Sequence, residues 1–471
     1  MFTDFITNMI NSLSELLYSH ILIILLLGAG IFFTIKTKFV QIRMFIESLR
    51  VVAQPGSDKN GLSSFQALMV STASRVGTGN IAGISTAICL GGSGAVFWMW
   101  LTAILGSASA FIESTLAQIY KHKAKDGSSY GGPAYYIQAA LKKRWIGVLF
   151  AVVLILTYMG GFNLVASFNI ADSFRVYSFF NPEWTPLIVG AILAVVFALA
   201  VFGGSKKISQ ITEVLVPVMG IFYLAVSLFI ILKHYQLVPV MFTSIFNNAF
   251  DVQAIFGGFA GSCVMHGIKR GLFSNEAGVG SAPNAAASAA VSHPVKQGLV
   301  QMLSVFIDTI LICSATAFML LCSGVEPTSK FGRNAVGSGS GFQLAWRFRY
   351  DLYYDRTLPV CLYNADRKLL LCGNGAEIPL RQKTAESSDQ YISYYRRRHR
   401  TCRRDNGIQH RMEHSGRTDG IDGFNQPSCH PHLMQTGNSG YERLYKAEKT
   451  GKDPVFKAAD IQLKDKTDFW N

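Results

Sequence analysis

Long apolar stretches separated by short polar segments run through the chain as far as residue 322. An α-helix needs about 20 apolar residues to cross the hydrocarbon core of a bilayer. Stretches of about that length lie at Leu17–Ile35, Phe65–Leu90, Ala95–Tyr120, Ile146–Ile170, Pro186–Val201, Ile211–Leu232, Val252–Ile268 and Gly298–Cys322. The pattern predicts an all-α, multispan membrane protein with eight spans. The first stretch lacks the basic flank and cleavage site of a signal peptide, so we interpret it as a retained helix.

Basic side chains alternate between the loops. The loops that follow the odd-numbered spans carry many basic residues: Lys36, Lys38, Arg43, Arg50, Lys59, Lys121, Lys123, Lys125, Lys142, Lys143, Arg144, Lys206, Lys207, Lys269, Arg270 and Lys296. Those after the even-numbered spans carry only Arg175 and Lys233. Since basic loops stay in the cytoplasm, this asymmetry predicts an N-terminus outside the cell.

Composition agrees with a membrane class. The 471 residues are 50% hydrophobic and 15% charged, and the net charge is +14. Much of that charge lies in loops and in a late segment, so it does not by itself indicate a nucleic-acid partner. The eight cysteines show no CxxC or metal-ligand spacing, so we predict neither disulfides nor a bound structural metal.

The second span contains a polar, glycine-rich interruption. Arg75 and Asn80 are costly in hydrocarbon, and Gly77 and Gly79 lower the helix propensity between them. Such breaks expose backbone groups that bind ions and carboxylates, and they occur only where they line a cavity. We interpret the span as a discontinuous transport helix. Close helix packing by glycine is the alternative, and a dinucleotide fingerprint is disfavoured because no strand precedes it.

A second break is predicted in the seventh span, within Gly257–Ser262. The two breaks lie five spans apart, which suits two inverted five-helix repeats with a site between them if the first span lies outside the repeat. Residues 271–283 are polar and small, and we predict a cytoplasmic loop there, with Ser274 capping a helix and Glu276 in its first turn. No His lies close enough in sequence to either residue to suggest a catalytic pair, so we do not predict an enzyme.

Acidic and amide side chains mark three other spans. Asp308 is interpreted as an ion or gating residue, whereas Glu113 suits a structural partner equally well. Asn163 and Asn169 in the fourth span face either the pore or a neighbouring helix.

Several motifs together resemble one family. They are RVGTGNIAG (75–83), GAVFWMW (94–100), GGPAYYI (131–137), RGLFSNEAGVGSAP (270–283) and QMLSVFIDTILICSATAFML (301–320). From about Leu17 to Val325 the chain resembles the alanine/glycine:cation symporter family of bacteria and archaea. The resemblance implies a leucine-transporter-like inverted-repeat fold preceded by one extra helix. It also implies symport of small neutral amino acids, driven by sodium or sometimes by protons, across the plasma membrane.

The resemblance also implies roles for individual residues. Backbone amides of Thr78 and Gly79 would bind the substrate carboxylate, while the second break would contact the substrate amine and side chain. Implied substrate-binding residues are therefore Thr78, Gly79, Gly258, Phe259, Ser262 and, in the fourth span, Asn169. Many family members have Gln in that part of the fourth span, where this chain has Ala166–Asn169.

Sodium ligands are implied in the same way. Asn80, Asp308 and Thr309 would serve the first sodium, and carbonyls near Ala73 and Val76 a second. Hard oxygen ligands suit sodium, and the N-terminus of a half-helix suits an anion.

The resemblance stops near Pro327. Family members continue with three more helices, but residues 329–443 hold no apolar span and include the basic run 395–404. One set of synonymous codons for Val360–Lys368, read one base later, encodes Phe-Ala-Phe-Thr-Thr-Leu-Ile-Gly, which resembles the next broken helix of the family. The tail from Gly451 again resembles the family's C-terminus. Compensating insertions or deletions, near Ser329–Leu344 and shortly before Leu444, would explain these features.

The predicted organisation therefore has three parts. Residues 1–327 form the symporter domain, 328–443 an irregular out-of-frame segment, and 444–471 a cytoplasmic tail. The C-terminal core helices would be missing, so this chain is potentially inactive. The predicted partners are a small neutral amino acid, sodium and the lipid bilayer, without nucleic acid. The alternative is a non-transporting membrane protein with a basic C-terminal interaction segment.

The orientation can be tested by cysteine labelling. Single cysteines replacing Lys123 and Lys206 should be protected from an impermeant reagent added outside, whereas one replacing Arg175 should react. The reverse pattern of modification in intact cells would overturn the orientation.

Overall fold

Helices make up almost all of the chain that the computed structural model describes. The described residues are 2–17, 21–54, 61–77, 79–125, 127–174, 179–202, 204–251, 263–322, 456–457 and 467–470. The aberrant segment predicted at 328–443, including its basic run, lies outside them.

The helices follow one another along the chain. The first half contains α1 (Phe2–Leu16), α2 (Leu22–Lys36), α3 (Val40–Arg43), α4 (Phe45–Ala53), α5 (Ser64–Arg75), a π-helical turn (Gly79–Gly83), α6 (Ile84–Gly91) and α7 (Ala95–Ile119). A hairpin of β1 (His122–Lys123) and β2 (Ser129–Tyr130) follows, with His122 opposite Tyr130 in an antiparallel register.

The remaining elements begin after this hairpin. They are α8 (Pro133–Leu141), α9 (Arg144–Ile155), a π-helical segment (Leu156–Phe162), α10 (Asn163–Ser173), α11 (Trp184–Phe202), α12 (Gly204–Lys233), a 3₁₀ turn (Tyr235–Leu237), α13 (Val238–Ala249), α14 (Cys263–Asn275), α15 (Ser281–Ala287), α16 (Pro294–Val305), a π-helical segment (Phe306–Cys313) and α17 (Ser314–Leu321).

Length and composition identify the membrane-crossing helices. Within the described part, five continuous helical stretches are long and apolar enough to cross a bilayer: 95–119, 144–171, 184–202, 208–233 and 294–321. Helix α2 and the stretch 79–91 are shorter apolar helices. Helix α11 has no buried residue, as expected for a helix whose side chains face lipid. These features confirm a mostly helical chain compatible with a multispan membrane protein.

Helix α7 lies at the centre of the packing. Its residues from Gly106 to Ile119 are all buried. Glycines let neighbouring helices approach it closely: a side chain added at Gly298 in α16 would meet the Phe111 carbonyl oxygen at 2.7 Å, and one at Gly271 in α14 would meet Thr102. Helix α2 packs on both α7 and α14, and its Leu26 shares an apolar cluster with Leu272 of α14.

The predicted break in the second span is confirmed. Ser63 and Gln66 form a capping box that starts α5, with Ser63 Oγ accepting from Gln66 N at 3.1 Å. The helix ends at Arg75, because Val76 adopts an extended conformation with ψ 97°. The chain then continues through the π-helical turn into α6.

The structure contradicts the prediction that Ser274 caps a helix within a loop at 271–283. Ser274 lies in the last turn of α14 rather than at a helix N-cap, and it is 2% exposed. The helix breaks after Asn275, where Glu276, Gly278 and Gly280 all have positive φ (48°, 87° and 99°), and α15 then begins at Ser281. Residues 263–287 therefore form two helices separated by a turn at 276–280, here called the second break, whereas the predicted break at 257–262 lies outside the described residues.

The described part of the C-terminal tail packs on the loops of the helical domain. Trp470 Nε1 donates to the Gln118 carbonyl at 2.7 Å, and Lys121 Nζ lies 5.3 Å from the Trp470 ring centroid. Phe456 is 3% exposed and contacts the His293 ring edge-on at 5.0 Å between centroids. The tail thus buries aromatic side chains against specific residues.

The close packing around α7 predicts that a methyl group added at a packed glycine lowers stability, whereas one added at an open glycine does not. Gly298→Ala should lower the free energy of unfolding by about 1–3 kcal/mol, because the new Cβ meets backbone that cannot move aside. Gly220→Ala in α12 is the matched control, since a Cβ there meets no described atom within 4 Å. Thermal unfolding in detergent checks this, and equal melting temperatures for the two variants would contradict it.

Candidate functional site

The first break presents backbone and an amide side chain to the centre of the bundle. Asn80 lies in the π-helical turn and is 1% exposed. Its Oδ1 accepts a hydrogen bond from Gly77 N at 2.9 Å, and its own N–H donates to the Gly77 carbonyl at 3.2 Å. These bonds fix the turn that separates α5 from α6.

Asn80 joins a buried cluster drawn from both broken helices and from the π-helical segment after α16. Asn80 Nδ2 donates to Asp308 Oδ1 at 2.6 Å and to Ser274 Oγ at 3.1 Å. Asp308 Oδ2 accepts from Ser274 Oγ at 2.9 Å and from Thr309 Oγ1 at 2.8 Å. Both Asp308 and Thr309 are fully buried. We call Asn80, Ser274, Asp308 and Thr309 the polar cluster.

The polar cluster has the chemistry of a site for a hard monovalent cation. It brings one carboxylate and two hydroxyl oxygens together in a dry environment, and hard cations take oxygen ligands. In the observed rotamer Asn80 turns its nitrogen, not its oxygen, toward Asp308. A half-turn of the Asn80 amide would present its oxygen to the cluster and release Gly77 N.

The π-helical segment Phe306–Cys313 explains which residues share the cluster. A π-helix bonds residues five apart, so it brings Asp308 and Cys313 onto one face. Cys313 Sγ lies 3.2 Å from Asn80 Nδ2 and 3.1 Å from Ser274 Oγ. A thiol is a soft group and a poor ligand for a hard cation, so the oxygen atoms of the polar cluster are the groups suited to such an ion.

A second buried carboxylate lies at the break between α14 and α15. Glu276 is 3% exposed, and its Oε2 accepts from Ser281 Oγ at 2.6 Å, from Tyr158 OH at 2.9 Å and from Ser74 Oγ at 3.4 Å. Ser74 belongs to the last turn of α5. The two breaks are therefore linked twice, through Ser74 and Glu276 and through Asn80 and Ser274.

Arg75 supplies positive charge beside these acids. Its guanidinium is 4% exposed and donates through Nη1 to Ser304 Oγ, and to the Gln301 carbonyl at 3.5 Å. Its Nε and Nη2 atoms have no hydrogen-bond partner among the described residues.

The other residues implied by the resemblance are not members of the polar cluster defined above. Gly79 opens the π-helical turn, while Ala73 and Val76 flank the end of α5 and are half-buried. Asn169 is buried, and its Nδ2 donates to the Val165 carbonyl of its own helix at 2.8 Å. The positions of Thr78, Gly258, Phe259 and Ser262 lie outside the described residues.

Sequence reasoning missed Ser274 and Glu276 as members of the site. Helix α14 carries His266, Lys269 and Arg270, which lower its mean hydropathy. For that reason the sequence pattern predicted a loop there. The available signal was the pair of glycines after Glu276, which is typical of a helix break. Glu113 is buried and accepts weakly from Gly278 N at 3.4 Å, which agrees with its structural interpretation.

Comparison with known proteins gives one consistent answer. Residues 3–344 match the sodium:alanine symporter family. The probable sodium/glutamine symporter GlnT of Bacillus subtilis is 48% identical over 342 residues, 70% of each chain. The amino-acid carrier protein AlsT of the same organism is 44% identical over 325 residues, 69% of this chain and 68% of its own. The sodium/alanine symporter AgcS of Methanococcus maripaludis is 38% identical over 332 residues, 69% of this chain and 72% of its own.

Proposed function

Because this chain belongs to the sodium:alanine symporter family, whose coupling ion is sodium, we propose that it carries out sodium-coupled uptake of small neutral amino acids, alanine or glycine, by alternating access. The polar cluster is the observation that carries this proposal. It is a buried, oxygen-rich site formed where two interrupted helices meet, which is where secondary transporters bind their coupling ion.

The polar cluster suits coupling because it joins elements that must move together. Sodium bound by Asp308, Ser274, Thr309 and the Asn80 oxygen would hold both breaks to the segment after α16. The same half-turn of the Asn80 amide would free Gly77 N at the first break, where an anionic group can bind. Cation binding would thereby prepare the place where the substrate carboxylate binds.

We infer an inverted-repeat architecture from the two broken helices. Helices α5 and α6 form the first, and α14 and α15 the second. Because Lys269 and Arg270 lie inside α14, the direction of the second rests on Lys296, which follows α15, and that of the first on the basic residues before α5; these imply that the two cross the membrane in opposite directions. Helix α2 would be the extra helix before the repeat, and the N-terminus would lie outside.

The substrate preference is inferred from the motif resemblance and from the names of the relatives. The name of one relative specifies glutamine and that of another specifies alanine. The resemblance of the motifs favours a small neutral side chain, and glutamine is the second candidate.

We also propose that residues 329–443 are translated out of frame, with the frame restored before the tail. The family match ends at residue 344. Beyond it, the specific burial of Phe456 and Trp470 against the helical domain supports a tail that is again in frame. The chain as written would then lack core helices and transport poorly. A basic interaction segment attached to a non-transporting domain is the alternative.

Asn80 provides a test of the sodium site. In a frame-restored protein, Asn80→Ala should weaken the dependence of alanine uptake on sodium, because the cation loses an oxygen ligand. Ser107→Ala is the matched control, since among the described residues the Ser107 hydroxyl donates only to the Ala103 carbonyl of its own helix. Sodium titration of radiolabelled uptake in proteoliposomes makes the comparison. Unchanged sodium activation in the Asn80 variant would remove Asn80 as a ligand.

Resequencing tests the frame proposal. We expect compensating insertions or deletions in the codons for 329–344 and shortly before 444, and a restored frame should encode three further apolar spans. A gene that reads continuously as written, together with a compactly folded 329–443 fragment, would contradict the proposal.

A further inference from the structure

We propose that Glu276 binds the α-ammonium group of the substrate, so that the site selects zwitterionic α-amino acids. This inference rests on the proposed function and goes further, because it assigns recognition of the amine to one carboxylate. Glu276 is not a member of the polar cluster.

Among the described residues, hydrogen bonds hold one carboxylate oxygen of Glu276, and the other oxygen accepts none. All three of its hydroxyl donors, from Ser281, Tyr158 and Ser74, bind Oε2. No hydrogen bond among the described residues involves Oε1. A buried carboxylate with one oxygen saturated and the other available can accept a hydrogen bond from a further cationic donor.

The backbone conformation at Glu276 sets the direction in which its side chain leaves the chain. Its φ of 48° is uncommon for a residue with a side chain, and Gly278 and Gly280 continue the left-handed path. The side chain therefore leaves the chain at the break itself and reaches α5 through Ser74. Ser74 lies in the last turn of α5, three residues along the chain before Gly77 at the first break. Hydrogen bonds from Ser74 to Glu276 and from Asn80 to Ser274 join the two breaks, so an acceptor for an amine and a donor region for a carboxylate belong to one connected site.

Charge balance supports the same assignment. Asp308 and Glu276 are two buried acids, and Arg75 is the buried cation whose charge acts on both. An uncompensated charge in a dry environment is costly. A sodium ion at Asp308 would compensate one acid and Arg75 the other, leaving a site that is neutral overall.

A neutral site with separated charges fits a zwitterion and disfavours its charged relatives. Two guanidinium nitrogens of Arg75 have no hydrogen-bond partner among the described residues, so no bond to a described acid neutralises its charge. Propionate keeps the carboxylate and lacks the ammonium group, and N-acetylalanine has lost the positive charge. Either would bring no ammonium group to Glu276 and would add a net negative charge to a site that is otherwise neutral.

Ligand binding to the purified frame-restored protein, the same protein used for the Asn80 test, tests the proposal. Thermal unfolding is followed in saturating sodium with L-alanine, propionate or N-acetylalanine, and separately in a sodium titration without any of them. Alanine should stabilise the wild-type chain, and the two analogues should need a concentration at least about a hundredfold higher. Glu276→Gln should raise the alanine concentration required by roughly thirtyfold or more, while its response to sodium is retained.

Glu113→Gln is the matched control, because Glu113 is also a buried acid contacting the second break. It should keep both responses. Glu276→Asp, which retains the charge on a shorter side chain, should recover part of the alanine response.

The outcomes are distinguishable. Unchanged alanine affinity and analogue discrimination in Glu276→Gln would overturn the proposal, as would loss of the sodium response, which would make Glu276 a cation ligand. A wild-type chain that responds to sodium but not to alanine would overturn this inference alone. A chain that responds to neither would overturn the proposed function as well.

Discussion

The hydrogen bonds of Asp308 to Asn80 and Ser274 are the interaction on which the rest of the structure depends. They join three elements that are each locally interrupted: the turn after α5, the end of α14 and the π-helical segment after α16. A carboxylate with no exposure to solvent is tolerated only when its oxygens are hydrogen-bonded, and here both oxygens accept bonds. The fold therefore holds a buried carboxylate where the turn after α5 meets the end of α14.

That arrangement requires helices that approach one another closely. Gly271 and Gly298 bring α14 and α16 against α7, and this contact sets where Ser274 and Asp308 lie. The glycines that lower helix propensity in the sequence are thus of two kinds. Some, such as Gly278 and Gly280, end a helix through positive φ, whereas others permit contact between helices that remain regular.

Much of the architecture could be predicted from the sequence, because apolar length directly reports a membrane-crossing helix. The first break was equally predictable, since Arg75 and Asn80 are too polar for an unbroken apolar span. The site was predicted in part: Asn80, Asp308 and Thr309 do come together, 228 residues apart along the chain. Ser274 was missed because its short helix owes its burial to partners in α2 and α7, which hydropathy does not report. The π-helical register that adds Cys313 is a tertiary effect without a local sequence signal.

The central claim is that the polar cluster holds the coupling cation. Equilibrium binding of radioactive sodium to the purified full-length chain, compared between wild type and Asp308→Asn, tests it most directly. The substitution keeps the shape of the side chain and removes its charge, so the account predicts saturable sodium binding in the wild type and its loss in the variant. Saturable binding of equal affinity in the variant would contradict the account, because the cation would then be held elsewhere.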